Sequence, residues 1–319
     1  MTHGQWTGVA VPRRTVLAAT LLLPLAACAA PATEQPTAAT TAPAPTAPPL
    51  DTAAVAARFA DLEGRFAARL GVYAVDAGGG RELAHRADER FAMCSTFKTL
   101  AAAAVLDRTP PEHLGTRVHW TTADVAPYSP VSQQHVADGM TIRELCDAAI
   151  RYSDNTAANL LLEELGGPEE ITTFARSLGD TVTRLDRFEP ELNTAVPGDE
   201  RDTTSPRAIA GTYRALVLGD RLEPADRDLL TGWLVGNTTG GARIRAGVPA
   251  GWRVGDKTGT GGYATANDVA VVWPPDRAPI VVAVLTSKAA ADADADDALL
   301  AEAATLVADA FAGPPSGSS

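Results

Sequence analysis

Apolar positions divide the chain into blocks of different period. Val55, Phe59, Leu62, Phe66 and Leu70 recur at steps of four, three, four and four, which places them on one face of a helix predicted over residues 52–69. A hairpin follows, with strands at Val72–Asp76 and Glu82–His85 and a turn at Ala77-Gly78-Gly79-Gly80. Strand signals then vanish until Trp252–Asp256, Asp268–Trp273 and Ile280–Thr286, the last two separated by Pro274, Pro275 and Pro279. A final helix carries Leu299, Leu300, Leu306, Val307 and Phe311 on one side. Its acidic start (Asp292, Asp294, Asp296, Asp297) complements a helix N-terminus. Strands and flanking helices thus come from both ends of the chain.

The middle is helical. Thr96–Leu106 is too short to span a bilayer and too apolar for a surface, so it reads as a buried central helix. Thr141-Ile142-Arg143-Glu144 is a capping box that starts another, and further helices are expected over 156–165, 168–178, 206–218 and 224–235. Residues 181–204 read instead as a charged, irregular loop containing Pro190 and Pro197, long enough to suggest a function. The expected organisation is a discontinuous α/β domain, residues 51–86 and 236–312, with an all-helical domain, residues 87–235, inserted in its middle.

The ends of the chain have another character. Arg13-Arg14 precedes an apolar run, Val16–Ala27, about half the ~20 residues of a membrane-spanning helix, which reads as an export signal over residues 1–28. The twin arginines resemble a twin-arginine signal, and Leu25-Ala26-Ala27-Cys28 a lipoprotein cleavage box; an ordinary signal peptide with a chance Cys is the alternative. From Ala29 to Leu50, 19 of 22 residues are Ala, Pro or Thr, a composition that builds an extended spacer rather than a core. Residues 313–319 read as a disordered polar tail. Such a chain is exported, and either anchored through lipidated Cys28 to the outer face of the cytoplasmic membrane or left periplasmic or secreted.

Composition then narrows the chemistry. The 319 residues carry a net charge of −12, which argues against nucleic acid as a partner. Five His and three Cys show no paired metal-ligand spacing, so no metal or other cofactor is expected. Without Cys28, only Cys94 and Cys146 remain. They can pair or stay as thiols, and their placement on two buried helices favours thiols. Arg outnumbers Lys by 24 to three, which singles out Lys98, Lys257 and Lys288.

Two of those lysines lie in motifs. Ser95-Thr96-Phe97-Lys98 opens the buried helix, and spacing of three puts the amine within reach of the hydroxyl. A desolvated Lys has a lowered pKa and can act as the base that a Ser nucleophile needs. Lys257-Thr258-Gly259 follows a strand-like segment and offers charge and backbone donors at a sheet edge. Ser153-Asp154-Asn155 interrupts the helical region, and taken alone is only a helix cap.

In this order and spacing (58 and then 104 residues between first positions), Ser-x-x-Lys, Ser-Asp-Asn and Lys-Thr-Gly resemble the signature of class A β-lactamases and penicillin-binding proteins. The resemblance covers roughly residues 52–312. It implies an antiparallel five-stranded sheet flanked by the terminal helices, with the active site between sheet domain and helical domain. It also implies a monomer that hydrolyses penicillins and probable cephalosporin substrates through a Ser95 acyl-enzyme. Arg187-Phe188-Glu189-Pro190-Glu191-Leu192-Asn193 resembles the family's omega loop, where Glu189 and Asn193 would hold the deacylating water, Arg187 would pair with Asp202, and a cis bond would precede Pro190.

The resemblance assigns the other roles. The N–H groups of Ser95 and Thr260 would receive the oxyanion, and Ser153 would pass a proton to the leaving nitrogen. Asn155 would orient substrate and Lys98, Tyr128 would wall the cleft, and Lys257, Thr258, Gly259 and Thr260 would meet the substrate carboxylate. Either Lys98 or Glu189 would be the acylation base. No Arg lies between Gly261 and Val272, so Arg243 takes the family's alternative carboxylate position, with Arg245 its competitor. A Cys94 disulfide to Gly261 or Gly262 is excluded. The competing readings are a D-Ala-D-Ala peptidase, which should lack the water-holding loop, and a non-catalytic β-lactam sensor.

Overall fold

The computed structural model describes residues 52–312; the expected export signal, linker and polar tail lie outside the described residues. Helix α1 (Thr52–Phe66) leads into a hairpin of β1 (Arg69–Asp76) and β2 (Glu82–His85). The helix is three residues shorter than its periodicity suggests. The backbone turns left-handed at Ala67 (φ 46°), and Leu70 is taken by the sheet, opposite Thr286.

A two-residue strand β3 (Phe91–Ala92) is followed by a 3₁₀ turn, Cys94–Phe97, and helix α2 (Lys98–Arg108), every residue of which is buried from Lys98 to Leu106. Strands β4 (Arg117–Val118) and β5 (Met140–Thr141) pair in front of α3 (Ile142–Arg151), where Thr141 and Glu144 form the expected capping box. Helices α4 (Asn155–Leu165) and α5 (Glu169–Ser177) follow, α4 capped by Asp154 and closed by Gly166 at φ 104°. Strand β6 (Thr203–Thr204) returns to pair with β3. Then come α6 (Pro206–Val217), α7 (Pro224–Val235) and the single turn α8 (Ile244–Gly247), α6 and α7 with Pro at their first turn.

Strands β7 (Arg253–Gly261), β8 (Thr265–Trp273) and β9 (Ile280–Ser287) complete an antiparallel sheet of order β2-β1-β9-β8-β7. Helix α9 (Asp297–Ala312) closes the fold, with only Asp297 of the four expected acids in its first turn. Lys257-Thr258-Gly259 lies within β7 rather than after it, because β7 pairs with β8 as far as Gly261↔Thr265.

The sheet has two covered faces. Tyr73, Val75, Val281, Ala283 and Leu285 pack against the helical middle, while Val72, Ala74, Val282 and Val284 pack against α1 and α9. Burial on both sides is why these strands read as apolar runs without alternation. The edge strand β7 is backed by two fully buried carboxyl groups. Asp256 accepts from Arg245 Nε (2.6 Å) and Asn237 Nδ2 (2.6 Å), and Asp268 Oδ2 from the Ile244 N–H (3.0 Å), while Asp268 Oδ1 has no partner.

Burial, and then the charge of Asp256, pushes the Asp268 carboxyl well above the usual range, and burial raises Asp256 against the pull of Arg245; Arg243 opposes the shift at Asp268. The shift favours the protonated form of the Asp268 carboxyl. The contribution of a raised carboxyl is complete below its ordinary pKa and is lost as pH rises through the raised one. Asp268→Asn, whose amide stands in for that proton, should therefore lose less melting temperature than the native chain as pH is raised above the ordinary carboxyl range. Equal losses would show that Asp268 holds no proton.

Candidate active site

The 3₁₀ turn presents Ser95 at the mouth of α2. Cys94 enters it with a left-handed φ of 46°, and Asn267 Nδ2 on β8 donates to the Ala92 (2.8 Å) and Met93 (3.3 Å) carbonyls that precede it. A Cβ on Gly259 would stand 2.8 Å from Met93 O, so only glycine lets β7 lie against this turn; a Cβ on Gly261 would meet Cys94 Sγ at 2.7 Å. Cys94 and Cys146 are both free, buried thiols whose ionisation burial opposes.

Lys98 is fully buried, and its Nζ reaches Ser153 O (2.8 Å), Asn155 Oδ1 (2.6 Å) and Glu189 Oε1 (3.0 Å). Ser95 Oγ donates to Glu189 Oε1 at 3.2 Å. The one-turn spacing thus aligns Ser95 and Lys98, yet each meets Glu189 rather than the other. Burial lowers the Lys98 pKa, and the Glu189 charge opposes that shift. Lys257 is pushed down further, by burial and then by the positive Lys98 nearby.

The Ser153-Asp154-Asn155 turn is both cap and site. Asp154 Oδ1 accepts from the Ala157 N–H and Ser132 Oγ, and Oδ2 from the Val131 and Ser132 N–H groups. That fixes Ser153 at a left-handed φ of 57°, with its Oγ taking a 3.0 Å hydrogen bond from Lys257 Nζ. The Asn155 N–H donates to Tyr128 O and its Nδ2 to Pro127 O, so Tyr128 stands 64% exposed at the rim.

Glu189 comes from the long loop, where it is followed by a cis peptide to Pro190 and the 3₁₀ turn Glu191–Thr194. Asn193 Nδ2 donates to Glu189 Oε2, and Asn193 Oδ1 is buried without a protein partner. Arg187 Nε donates to the buried Asp202 carboxylate (2.6 Å), which also accepts the Asp186 and Arg187 N–H groups. The Gly262 N–H bonds Asn193 O at 2.8 Å, tying the loop to the end of β7.

Arg243 and Arg245 take different partners. Arg243 is 7% exposed and donates to Thr260 Oγ1 (2.9 Å), Gly259 O (2.9 Å), Asn267 O (2.8 Å) and Asp297 (2.7 Å), whereas Arg245 serves Asp256 behind the sheet. The Thr258 hydroxyl lies 2.6 Å from that of Thr239. Sequence reasoning missed Asn159, whose side chain clamps the backbone of Glu189 through Nδ2 to O and Oδ1 to N–H, each at 2.9 Å. Its spacing of four from Asn155 on α4 was the available signal. Asn267 left none, because only strand pairing brings it under the nucleophile turn.

The sequence model of the "Beta-lactamase enzyme family" matches residues 54–311. "Beta-lactamase AST-1" of Nocardia asteroides is 56% identical over 94% of this chain and 96% of its own length. Among solved structures, the β-lactamase of Streptomyces albus G superposes with a TM-score of 0.79 at 57% identity, covering 80% of this chain and 98% of that one. A class A β-lactamase described as the last common ancestor of Gram-negative bacteria gives 0.78 at 59% identity, covering 81% and 99%.

The Arg187–Asp202 pair is the loop's buried anchor. Asp202→Ala leaves three donors facing an apolar site and should cost about 3 kcal/mol, read as a lower urea midpoint. An unchanged midpoint would show that the pair adds nothing.

Proposed function

The chain belongs to the β-lactamase enzyme family as a class A β-lactam hydrolase, and we propose that Ser95 carries the acyl group and that penicillins and cephalosporins are its substrates. The observation that supports this most directly is a carboxylate, Glu189, held 3.2 Å from a buried Ser hydroxyl and paired with an amide four residues on.

In this reading Ser95 Oγ attacks the lactam carbonyl as its proton passes to Glu189, the group it already faces; Lys98, bound to Ser153 O and Asn155, keeps that carboxylate in place. The oxyanion is received by the Ser95 and Thr260 N–H groups. When the C–N bond breaks, the Ser153 hydroxyl gives its proton to the ring nitrogen, and the proton on Glu189 returns through Lys98 to make good the loss. In deacylation a water held by Glu189 and Asn193 Oδ1 gives a proton to Glu189 and attacks the ester, and Glu189 passes that proton to Ser95 Oγ as the C–O bond breaks.

Lys257, Thr260 and Arg243 form the positive end of the groove, suited to the substrate carboxylate, with the backbone of Gly259 beside them. Thr258 meets the substrate carboxylate with them, Asn155 directs the substrate's side-chain amide, and Tyr128 walls the cleft. Exposed Thr260, followed by two residues without side chains, leaves room for a cephalosporin nucleus. The folded unit is read as residues 51–86 with 236–312 around an 87–235 helical part.

The reading also covers delivery: a twin-arginine signal, then lipidation of Cys28 on a spacer that holds a monomeric enzyme off the membrane. Cys28→Ala should move the enzyme from the membrane fraction to the soluble exported fraction; an unchanged distribution would exclude a lipid anchor at that residue.

Glu189→Ala leaves Lys98 as the remaining base for acylation and removes the base of the deacylating water, so acylation slows but deacylation slows far more; penicillin leaves a stable mass adduct on Ser95 while turnover drops by about 10³-fold or more. The native enzyme should turn over a chromogenic cephalosporin continuously. A single stoichiometric burst would instead fit a peptidase or a sensor, and unchanged turnover in Glu189→Ala would remove Glu189 from the mechanism.

A further inference from the structure

The two N–H groups assigned to the oxyanion come from separate parts of the fold, Ser95 from the 3₁₀ turn before α2 and Thr260 from β7, so the distance between them must be fixed by tertiary contacts. The turn is entered through Cys94 at a left-handed φ of 46°, a conformation that a β-carbon disfavours and that its surroundings must therefore impose. Those contacts meet at two adjacent carbonyls. Met93 O accepts from the Thr96 N–H (3.2 Å) and Thr96 Oγ1 (2.8 Å), both within the turn, and from Asn267 Nδ2 (3.3 Å), which also donates to Ala92 O (2.8 Å). Asn267 thus reaches the turn from another element.

Asn267 is fully buried on β8, with both ends of its amide engaged. Its Oδ1 accepts the Thr286 N–H of β9 (3.2 Å), so a flipped amide would set its oxygen against two carbonyls and its nitrogen against a donor. Its own carbonyl accepts from Arg243 Nη1 (2.8 Å), on the guanidinium that also bonds Thr260 Oγ1. Register completes the link. Asn267 stands opposite Gly259 and Ala266 opposite Thr260, and partners across a strand pair share a face of the sheet. A Cβ on Gly259 would stand 3.3 Å from Ser95 N as well as 2.8 Å from Met93 O. The turn therefore fills the space that a β7 side chain would take, and the Asn267 amide, from the next strand, holds it there.

We propose that Asn267 is a positioning residue of the oxyanion site, setting the separation of the Ser95 and Thr260 N–H groups, a role that rests on the reading of Ser95 as the nucleophile. It touches neither substrate nor reacting atom, so its effect passes through the turn. Release of the turn by about 1 Å should slow acyl transfer by about 10²-fold, because the oxyanion is stabilised only where both donors converge.

Infrared difference spectra of the penicillin adduct on Ser95 test this, with Glu189→Ala as the parent so that the adduct persists. Two convergent donors polarise the acyl carbonyl and lower its stretching frequency. Asn267→Ala in that parent should raise it. In the otherwise native chain, Asn267→Ala should lower kcat/KM for a chromogenic cephalosporin and the affinity for phenylboronic acid by a similar factor, about 10²-fold. The boronic acid adds to Ser95 Oγ, whose proton passes to Glu189, and one boron-bound oxygen takes the place of the oxyanion. A side chain of structural importance alone would lower the urea midpoint and leave the carbonyl band and the boronic acid affinity of the folded protein unchanged, which would overturn the proposal. Should Asn267→Ala not fold, Asn267→Thr, branched as a strand prefers and one atom too short to reach Ala92 O, carries the same measurements. Absence of an adduct in the Glu189→Ala parent would overturn the reading of Ser95 itself, and this role with it.

Discussion

The buried meeting of Lys98 with Glu189, 3.0 Å apart and both without exposed side-chain surface, is the constraint around which the other elements are arranged. An ion pair removed from water is tolerated only when its remaining donors and acceptors are satisfied. Ser153 O and Asn155 Oδ1 complete Lys98, while Ser95 and Asn193 complete Glu189. Satisfying one pair therefore brings together the start of α2, the turn before α4 and the long loop, three segments far apart in the chain. These are also the segments the acyl-transfer chemistry needs.

The sheet supplies what the helical part lacks. Strand β7 is an edge, and the side of it that faces the groove is short of side chains, so its backbone comes close to the nucleophile turn. Its alternation separates two tasks: Lys257 points to Ser153, and Asp256 points to Arg245 and Asn237 behind the sheet. Positive charge near the substrate thus rests on a strand whose own underside holds a carboxyl pair. Arg243 joins the two sides, reaching Thr260 at the groove and Asp297 at the start of α9.

Charge and burial place the lysines on a scale. Lys98 and Lys257 are desolvated and lowered, Lys257 further because Lys98 adds to it, while Lys288 stays partly exposed against Asp296. Lysine rather than arginine at position 98 fits the proton transfer proposed for it, since a guanidinium stays protonated at any working pH.

The sequence by itself determined the elements and the parts list. Periodicity placed the helices within a few residues, because an amphipathic face is a local property, and Thr141-Ile142-Arg143-Glu144 formed its cap from adjacent residues. The motif serines and lysines were legible because their spacing is itself local, three residues within a 3₁₀–α junction, whereas the Glu189–Asn193 pair was legible only through the family resemblance of the loop that carries it. Contacts between distant segments were decided only by the tertiary structure. Spacing put Lys98 beside Ser95, but the arriving loop put Glu189 between them. The different partners of Arg243 and Arg245, the clamp of Asn159 on Glu189 and the support of Asn267 under Ser95 likewise depend on pairing across the fold. No local pattern records which two segments will meet, because that is set by how buried donors, acceptors and apolar faces are satisfied all at once.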